Sequence, residues 1–211
     1  MIEKLETQPK PTEGRRERKR RQTRERIQEA AISLFLERGF DGTTIEDITE
    51  AADVSKRSFF DYFPSKEEVV AAWQDSFADE LVEAVAARPA GEPITKVIEE
   101  ALISSVVSGA ADPQNLALGQ LIRQTPALRA RDQLKYTKLE RRLTEALWER
   151  VGEGEAERFR MGLLAAVVIA AMRAAGERWQ EEPSVPLDAF ARDIFQELWS
   201  ILADFGQKSP R

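Results

Sequence analysis

The sequence predicts an all-α protein. Three observations carry that reading. Apolar residues recur at i, i+3, i+4 and i+7 along nearly the whole chain. No stretch alternates polar and apolar residues long enough to make a strand. Pro, Gly and capping residues cut the periodic pattern into nine segments of helix length.

Taken in order, residues 1–14 hold Pro9, Pro11, Gly14 and mixed charge, the composition of a disordered arm. A basic run follows, in which Arg15, Arg16, Arg18, Lys19, Arg20, Arg21, Arg24 and Arg26 oppose only Glu17 and Glu25. It leads into the first apolar face, Ile27, Ala30, Ala31, Leu34 and Phe35, and Gly39 stands where a helix C-terminus wants it. Thr44 is a natural N-cap for the second helix, with Asp47 placed to reach back to it. Asp53 falls in the next turn at a position that calls for a left-handed residue. Ser55 caps the third helix, whose Phe59 and Phe63 point one way while Lys56 and Arg57 point another, and Pro64 ends it.

Ser65 opens a long fourth helix to about Arg88, with Val69, Val70, Trp73, Phe77, Leu81 and Val85 on one face. Further helices are expected over Ile94–Ser108, Pro113–Gln124, Pro126–Val151, Glu155–Gln180 and Leu187–Phe205, separated by Pro and Gly. The division this implies is a domain of three helices over 15–64, a helical body over 65–206 and a flexible tail over 207–211.

Composition excludes several function classes. The chain has no Cys and no His. Disulfides, thiolate metal sites and histidine-based catalysis are therefore absent, and no metal or cofactor is expected. No clustered carboxylate pair (Glu140 with Glu145 and Asp188 with Asp193 are five apart) and no Gly-rich phosphate loop offers a catalytic role, so the chain reads as no enzyme. The longest apolar run, Met161–Met172, is about half of what a membrane-spanning helix needs. The N-terminus lacks the apolar core of a signal peptide, and a cytoplasmic protein without a membrane partner is expected. Charge is polarised: the first 66 residues sum to +1, the remaining 145 to −7. A basic arm on an acidic body is the electrostatic pattern of a DNA reader with a separate second domain.

Two helices of under three turns joined by so short a turn bury little alone; such a pair usually presents its second helix to a DNA groove. The stretch IQEAAISLFLERGFDGTTIEDITEAADVSKRSFFDYFPSKEEVV, Ile27 to Val70, resembles the DNA-binding domain of the tetracycline-repressor (TetR) family of bacterial transcription regulators. The resemblance covers about a third of the chain. Two positions depart from the family pattern: Asp53 where Gly is usual in the turn, and Phe60 where Tyr often supplies a hydroxyl.

The resemblance implies a helix 3 lying in the major groove. Lys56, Arg57 and Ser58 then meet base edges or nearby backbone, with Ser55 beside them and Arg57 the better guanine reader. It also implies phosphate contacts from Thr44 and Lys66, a hydroxyl from Tyr62 in place of the one Phe60 lacks, and backbone or minor-groove contacts from Arg21 and Arg24. The basic run is equally readable as the start of a soluble helix.

A homodimer is implied through the last two helices, with Ala166 and Ala170 allowing close approach and Phe190, Ile194, Leu198 and Ile201 forming an apolar stripe. Its two recognition helices would stand about 34–36 Å apart on double-stranded, palindromic operator DNA. Trp73, Phe77, Leu102, Val106, Leu121, Tyr136, Trp148, Met172 and Trp179 are candidates to line an effector cavity, with Arg173 as an anchor for a carboxylate or phosphate. A fatty acid or acyl-CoA is the effector this suggests. The rival reading is an architectural DNA-binding protein that no ligand regulates.

Overall fold

A computed structural model describes residues 14–208 apart from 153 and 182–184. The arm expected over 1–14 lies outside the described residues except for Gly14. Of the tail expected over 207–211, residues 209–211 lie outside them. The described residues form helices α1 (Arg15–Arg38), α2 (Ile45–Ala51), α3 (Lys56–Tyr62), α4 (Lys66–Ala86), α5 (Ile94–Ala111), α6 (Pro113–Gln124), α7 (Pro126–Val151), α8 (Glu155–Glu181) and α9 (Leu187–Lys208). They divide into two compact units between Val69 and Val70, within the first turn of α4.

In the first unit, α1 runs unbroken from Arg15, so the basic run is helical rather than an extended arm. Ile27, Ala31 and Phe35 are fully buried, and Phe40, Ile48, Ala52, Phe59 and Phe63 are each at most 2% exposed. Burying a large apolar side chain contributes about 1.5–3 kcal/mol, so these few residues set how three short helices pack. The Phe35 and Phe40 rings lie 5.0 Å apart, those of Phe59 and Phe63 6.0 Å apart. Thr43 is wholly buried and donates its hydroxyl to the carbonyls of Gly39 (2.9 Å) and Leu34 (3.3 Å). The Gly39 carbonyl, just past the end of α1, thereby gains a donor. Gly42 is required here, since a Cβ on it would stand 2.5 Å from the Arg38 carbonyl oxygen.

Local chemistry sets the helix-turn-helix. The Thr44 hydroxyl accepts from the Asp47 amide (3.1 Å), and the Asp47 carboxylate accepts from the Thr44 amide (2.8 Å). That is the capping box expected at the start of α2. Asp53 adopts φ 48°, the left-handed conformation its position demands.

In the second unit, α7 packs along α8, and α5 and α9 pack side by side. The core comprises Leu81 and Val85 from α4, Ile98 and Leu102 from α5, Leu139, Leu143 and Leu147 from α7, Ala165 and Val168 from α8, and Phe195 from α9. Ion pairs tie its rim: Asp75 with Lys138 (3.1 Å), Asp79 with Arg142, and Glu100 with Arg192 (2.9 Å). The Arg192 guanidinium holds the Glu100 carboxyl below the usual carboxylate range.

α8 is apolar on two sides. Met161, Ala165, Val168 and Ile169 face inward, while Phe159 (68% exposed), Leu163 (54%) and Val167 line the outer side at i, i+4 and i+8. By length and composition its stretch Glu155–Trp179 would span a bilayer, although only 22% of the apolar window is buried in this chain. The short apolar run seen in sequence understated this helix, because small and charged residues interrupt an otherwise apolar surface.

Candidate nucleic-acid interface and effector cavity

The polar surface of the first unit is built on α3. Ser55 caps it by accepting from the Ser58 amide (3.0 Å), and the Ser55 and Ser58 hydroxyls lie 2.9 Å apart in a mutual hydrogen bond. Phe59 and Phe63 bury the inner side of α3, which turns Lys56, Arg57 and Phe60 outward. Arg57 is exposed and has no hydrogen bond or ion pair among the described residues. Its five donors are therefore available to a ligand. Phe60 is 47% exposed, its ring standing edge-on to Phe59 at 5.5 Å, and offers an apolar surface where a hydroxyl is common. Lys56 is exposed too, but its ammonium is paired with the Glu46 carboxylate of α2. The Lys56 hydrogen bond holds Glu46 below the usual carboxylate range.

Several expected contacts are engaged within the fold instead. Thr44 gives its amide and hydroxyl to Asp47, at 2.8 and 2.5 Å, and so serves as the cap of α2. Those bonds hold the Asp47 carboxyl below its usual range. Lys66 is half-buried and donates to the carbonyls of Phe40 (2.7 Å) and Thr43 (3.0 Å), with its ammonium 4.3 Å from the Phe40 ring. It joins the loop before α2 to the start of α4, and these carbonyls offset the opposing helix dipole.

The cations of α1 are distributed in the same way. Arg24 lies over the Phe63 ring at 5.2 Å, Arg20 over Tyr62 at 5.9 Å, and Arg26 reaches the Asp53 carbonyl at 3.4 Å. Arg21 pairs with Glu25 at 2.8 Å. The part of α1 that sequence reads as an arm thus brackets α3 at its turn and at its far end. The sequence singled out neither Arg26 nor Glu46 for these contacts, because each partner is remote along the chain.

The second unit contains a cavity of about 340 Å³, open to the surface on one side and within the size range of small-molecule sites. Trp73, Phe77, Leu102, Val106, Tyr136, Met172 and Trp179 line it as expected from their apolar character. Leu121, Trp148 and Arg173 do not. Leu121 sits on α6 away from the lining. Trp148 packs on the core beneath the Arg158 guanidinium, 5.4 Å from its ring. Arg173 is exposed and pairs with Glu177 (3.6 Å) on its own helix, so neither burial nor an effector anchor applies to it. Phe190 and Ile194, expected at a dimer interface, face the cavity, and Leu198 packs against the core. The amphipathic stripe of α9 was correctly apolar, but it turns inward. Ile201 is exposed, Ala170 is exposed and Ala166 half-buried.

One polar group in the lining escaped sequence reasoning. Asn115 accepts from the Trp73 indole (3.1 Å) and donates to the Gly109 carbonyl (3.0 Å), which holds its amide still beside the apolar wall. The charged rim is internally compensated where Lys138 meets Asp75.

Comparison with known proteins places both units. The profile of the bacterial regulatory proteins of the tetR family matches residues 27–73, and that of the MftR C-terminal domain matches 92–203. The HTH-type transcriptional regulator TcmR of Streptomyces glaucescens is 31% identical over 185 residues, 84% of this chain and 82% of that protein. A TetR-family regulator from Streptomyces coelicolor A3 superposes with a TM-score of 0.59 at 22% identity, covering 93% of this chain and 99% of that one. The SmeT–triclosan complex does so with a TM-score of 0.59 at 20% identity, covering 85% and 91%. On the matched reader, the matched helical domain and the extent of the TcmR alignment, this chain belongs to the TetR family of bacterial DNA-binding transcriptional regulators.

Proposed function

We propose that the protein is a homodimeric repressor of the cytoplasm that binds a palindromic operator and is released by a small apolar effector. One observation carries the regulatory part. Helix α4 holds the reader through Lys66, whose ammonium bonds the Phe40 and Thr43 carbonyls, and lines the cavity with Trp73 and Phe77. A molecule that displaces the α4 wall therefore acts on a helix that also anchors the loop before α2. Binding unequally to two positions of α4 shifts the population between them.

On DNA, Arg57 is the base reader and Lys56 its neighbour, with Phe60 meeting a thymine methyl or sugar. Arg15, Arg16, Arg18 and Lys19 on the first turns of α1 are the phosphate contacts, since Arg20, Arg24 and Arg26 are used within the fold.

Dimerisation uses the outer face of α8, where Phe159, Leu163, Val167 and Ala170 form a stripe that this chain leaves open, together with Ile201 and Leu202 of α9. Exposed apolar surface of this kind marks an interaction site. The effector has an apolar, ring-bearing body, favoured by the aromatic wall, and a polar group directed at Asn115. A fatty acyl thioester fits less well, because Lys138 is paired with Asp75 and Arg173 lies outside the cavity. That one of the similar structures is a triclosan complex supports the general mode.

The test is a mobility-shift assay on the DNA upstream of the protein's own gene at several salt concentrations, with native mass spectrometry of the purified protein. A shifted dimer complex on a palindrome, released by whatever small molecule co-purifies, is the expected result. Binding that ignores sequence would overturn the reading in favour of an architectural role.

A further inference from the structure

We infer that Glu46 sets DNA specificity by holding Lys56 away from non-cognate phosphates, through an ion pair that only a base-matched site displaces. The inference rests on the reading that α3 lies against DNA. Among the cations at the start of α3, Arg57 is unengaged among the described residues, whereas Lys56 is held by a carboxylate from the neighbouring helix, ten positions away.

The fold does not need this pair. α2 is capped by Thr44 and Asp47, and both members of the pair are more than half exposed, at 56% for Lys56 and 63% for Glu46. Pairs of that kind contribute little to stability. A carboxylate on the surface that faces a polyanion costs affinity, so its use lies in what it prevents.

Non-specific binding is almost entirely counterion release, one phosphate at a time. On arbitrary DNA, moving Lys56 from Glu46 to a phosphate exchanges one anion for another and leaves Glu46 facing the backbone. Little is gained. At a matched site, α3 seats fully, Lys56 reaches a base edge or a fixed phosphate, and the contacts of Arg57 made at the same time offset the broken pair. The penalty falls on every sequence but is recovered only at the right one, which is how a repulsive element raises specificity.

The experiment is a double-mutant cycle with Glu46→Gln, Lys56→Gln and the double variant in the full chain. Fluorescence anisotropy follows each on a mixed-sequence duplex and on an operator selected from a random library, across a range of salt, with thermal unfolding as a check on the fold. Glu46→Gln is expected to tighten mixed-sequence binding about four- to eightfold at 0.1–0.2 M salt and to steepen its salt slope by about 0.9, the value of one added phosphate contact. Operator affinity rises less, so the specificity ratio falls. In the Lys56→Gln background, Glu46→Gln relieves only the plain repulsion between its carboxylate and the phosphates, a smaller gain without the added salt slope of a new phosphate contact.

An equal effect in both backgrounds makes Glu46 a plain repeller and overturns the inference. A loss confined to the operator makes it a base reader and does the same. If Lys56→Gln alone leaves binding to both DNAs unchanged, the placement of α3 on DNA fails with it. If Lys56→Gln weakens binding while Glu46→Gln is uncoupled, only the latch fails.

Discussion

The two units use the same kind of helix to opposite ends. In the first, three short helices close around Phe35, Phe59 and Phe63, each at most 2% exposed, and the polar groups at the helix ends are satisfied locally. In the second, longer helices leave a cavity of about 340 Å³ inside and an apolar stripe outside on α8. A closed core makes a rigid reader whose side chains are positioned before DNA arrives. An incompletely filled body leaves room, on the proposed function, for an effector in its cavity and a second subunit on its open face. The difference is one of packing: the first unit closes on its own core and the second leaves apolar surface unfilled.

The comparison breaks most sharply at Phe59. Phe59→Ala is expected to cost about 3–5 kcal/mol, as for large-to-small changes of buried aromatics. The reader should unfold and DNA binding disappear while the body keeps its own thermal transition. A single shared transition lost in both units would show that the closed and open units are not independent.

Next in size is the outer face of α8. Introducing a charge with Leu163→Asp buries an unpaired carboxylate in any two-fold interface, at a cost of several kcal/mol. Light scattering should then report a monomer, operator affinity should collapse, and the monomer should keep its helical circular dichroism. A dimer that persists would move the interface elsewhere.

The cap of α2 gives a middle-sized effect. Thr44→Ala should destabilise the reader by about 1 kcal/mol, the usual value of an N-cap, and leave the body transition in place. Filling the cavity tests the opposite unit. Ala175→Phe, on the α8 wall, should stabilise the body by about 0.5–2 kcal/mol, as cavity-filling changes do. It should also abolish release by effector while operator affinity is kept. Loss of operator binding instead would mean that the cavity volume is needed by the reader.

The smallest effect is a pH dependence confined to the reader. Asp47 and Glu46 have carboxyls held below their usual range by Thr44 and Lys56, respectively. A depressed folded value contributes stability that is present above the unfolded value and lost as pH falls through the folded one. Acidification below the ordinary carboxylate range should therefore lower the reader's melting temperature slightly. Asp47→Asn should remove most of that slope, and a slope that persists would assign it to other carboxylates.

Much of this was legible along the chain. Thr44 with Asp47, Ser55 with Ser58 and the left-handed Asp53 are local signals, since each group meets a partner within a few residues. The inward Phe59 and Phe63 and the outward Arg57 follow from helical spacing alone. The helix limits from α6 to α9 follow the Pro and Gly punctuation closely, and α4 stops at Ala86, short of the expected Arg88.

What failed shares a different property. Phe190 and Ile194, expected at a dimer interface, line the cavity within this chain. Arg173 was read as buried because its neighbours in sequence are apolar. Lys66, Arg24 and Thr44, read as DNA contacts because their charge or hydroxyl suits phosphate, also hold partners within the fold that the sequence did not point to, except for Asp47 beside Thr44.

By itself, then, the sequence determined the all-α class, the helix-turn-helix, the polarity of each helix face and the absence of any histidine or cysteine chemistry. Periodicity and caps depend on neighbours no more than about four positions away, so a linear reading suffices for them. Only the tertiary structure decided which apolar face closes a core, which lines a cavity and which stays open. It also decided which cations are left for a partner. Lys56 meeting Glu46, Lys66 meeting Phe40 and Arg26 meeting Asp53 each depend on helices brought together by the packing of buried phenylalanines, and no spacing in the chain records that.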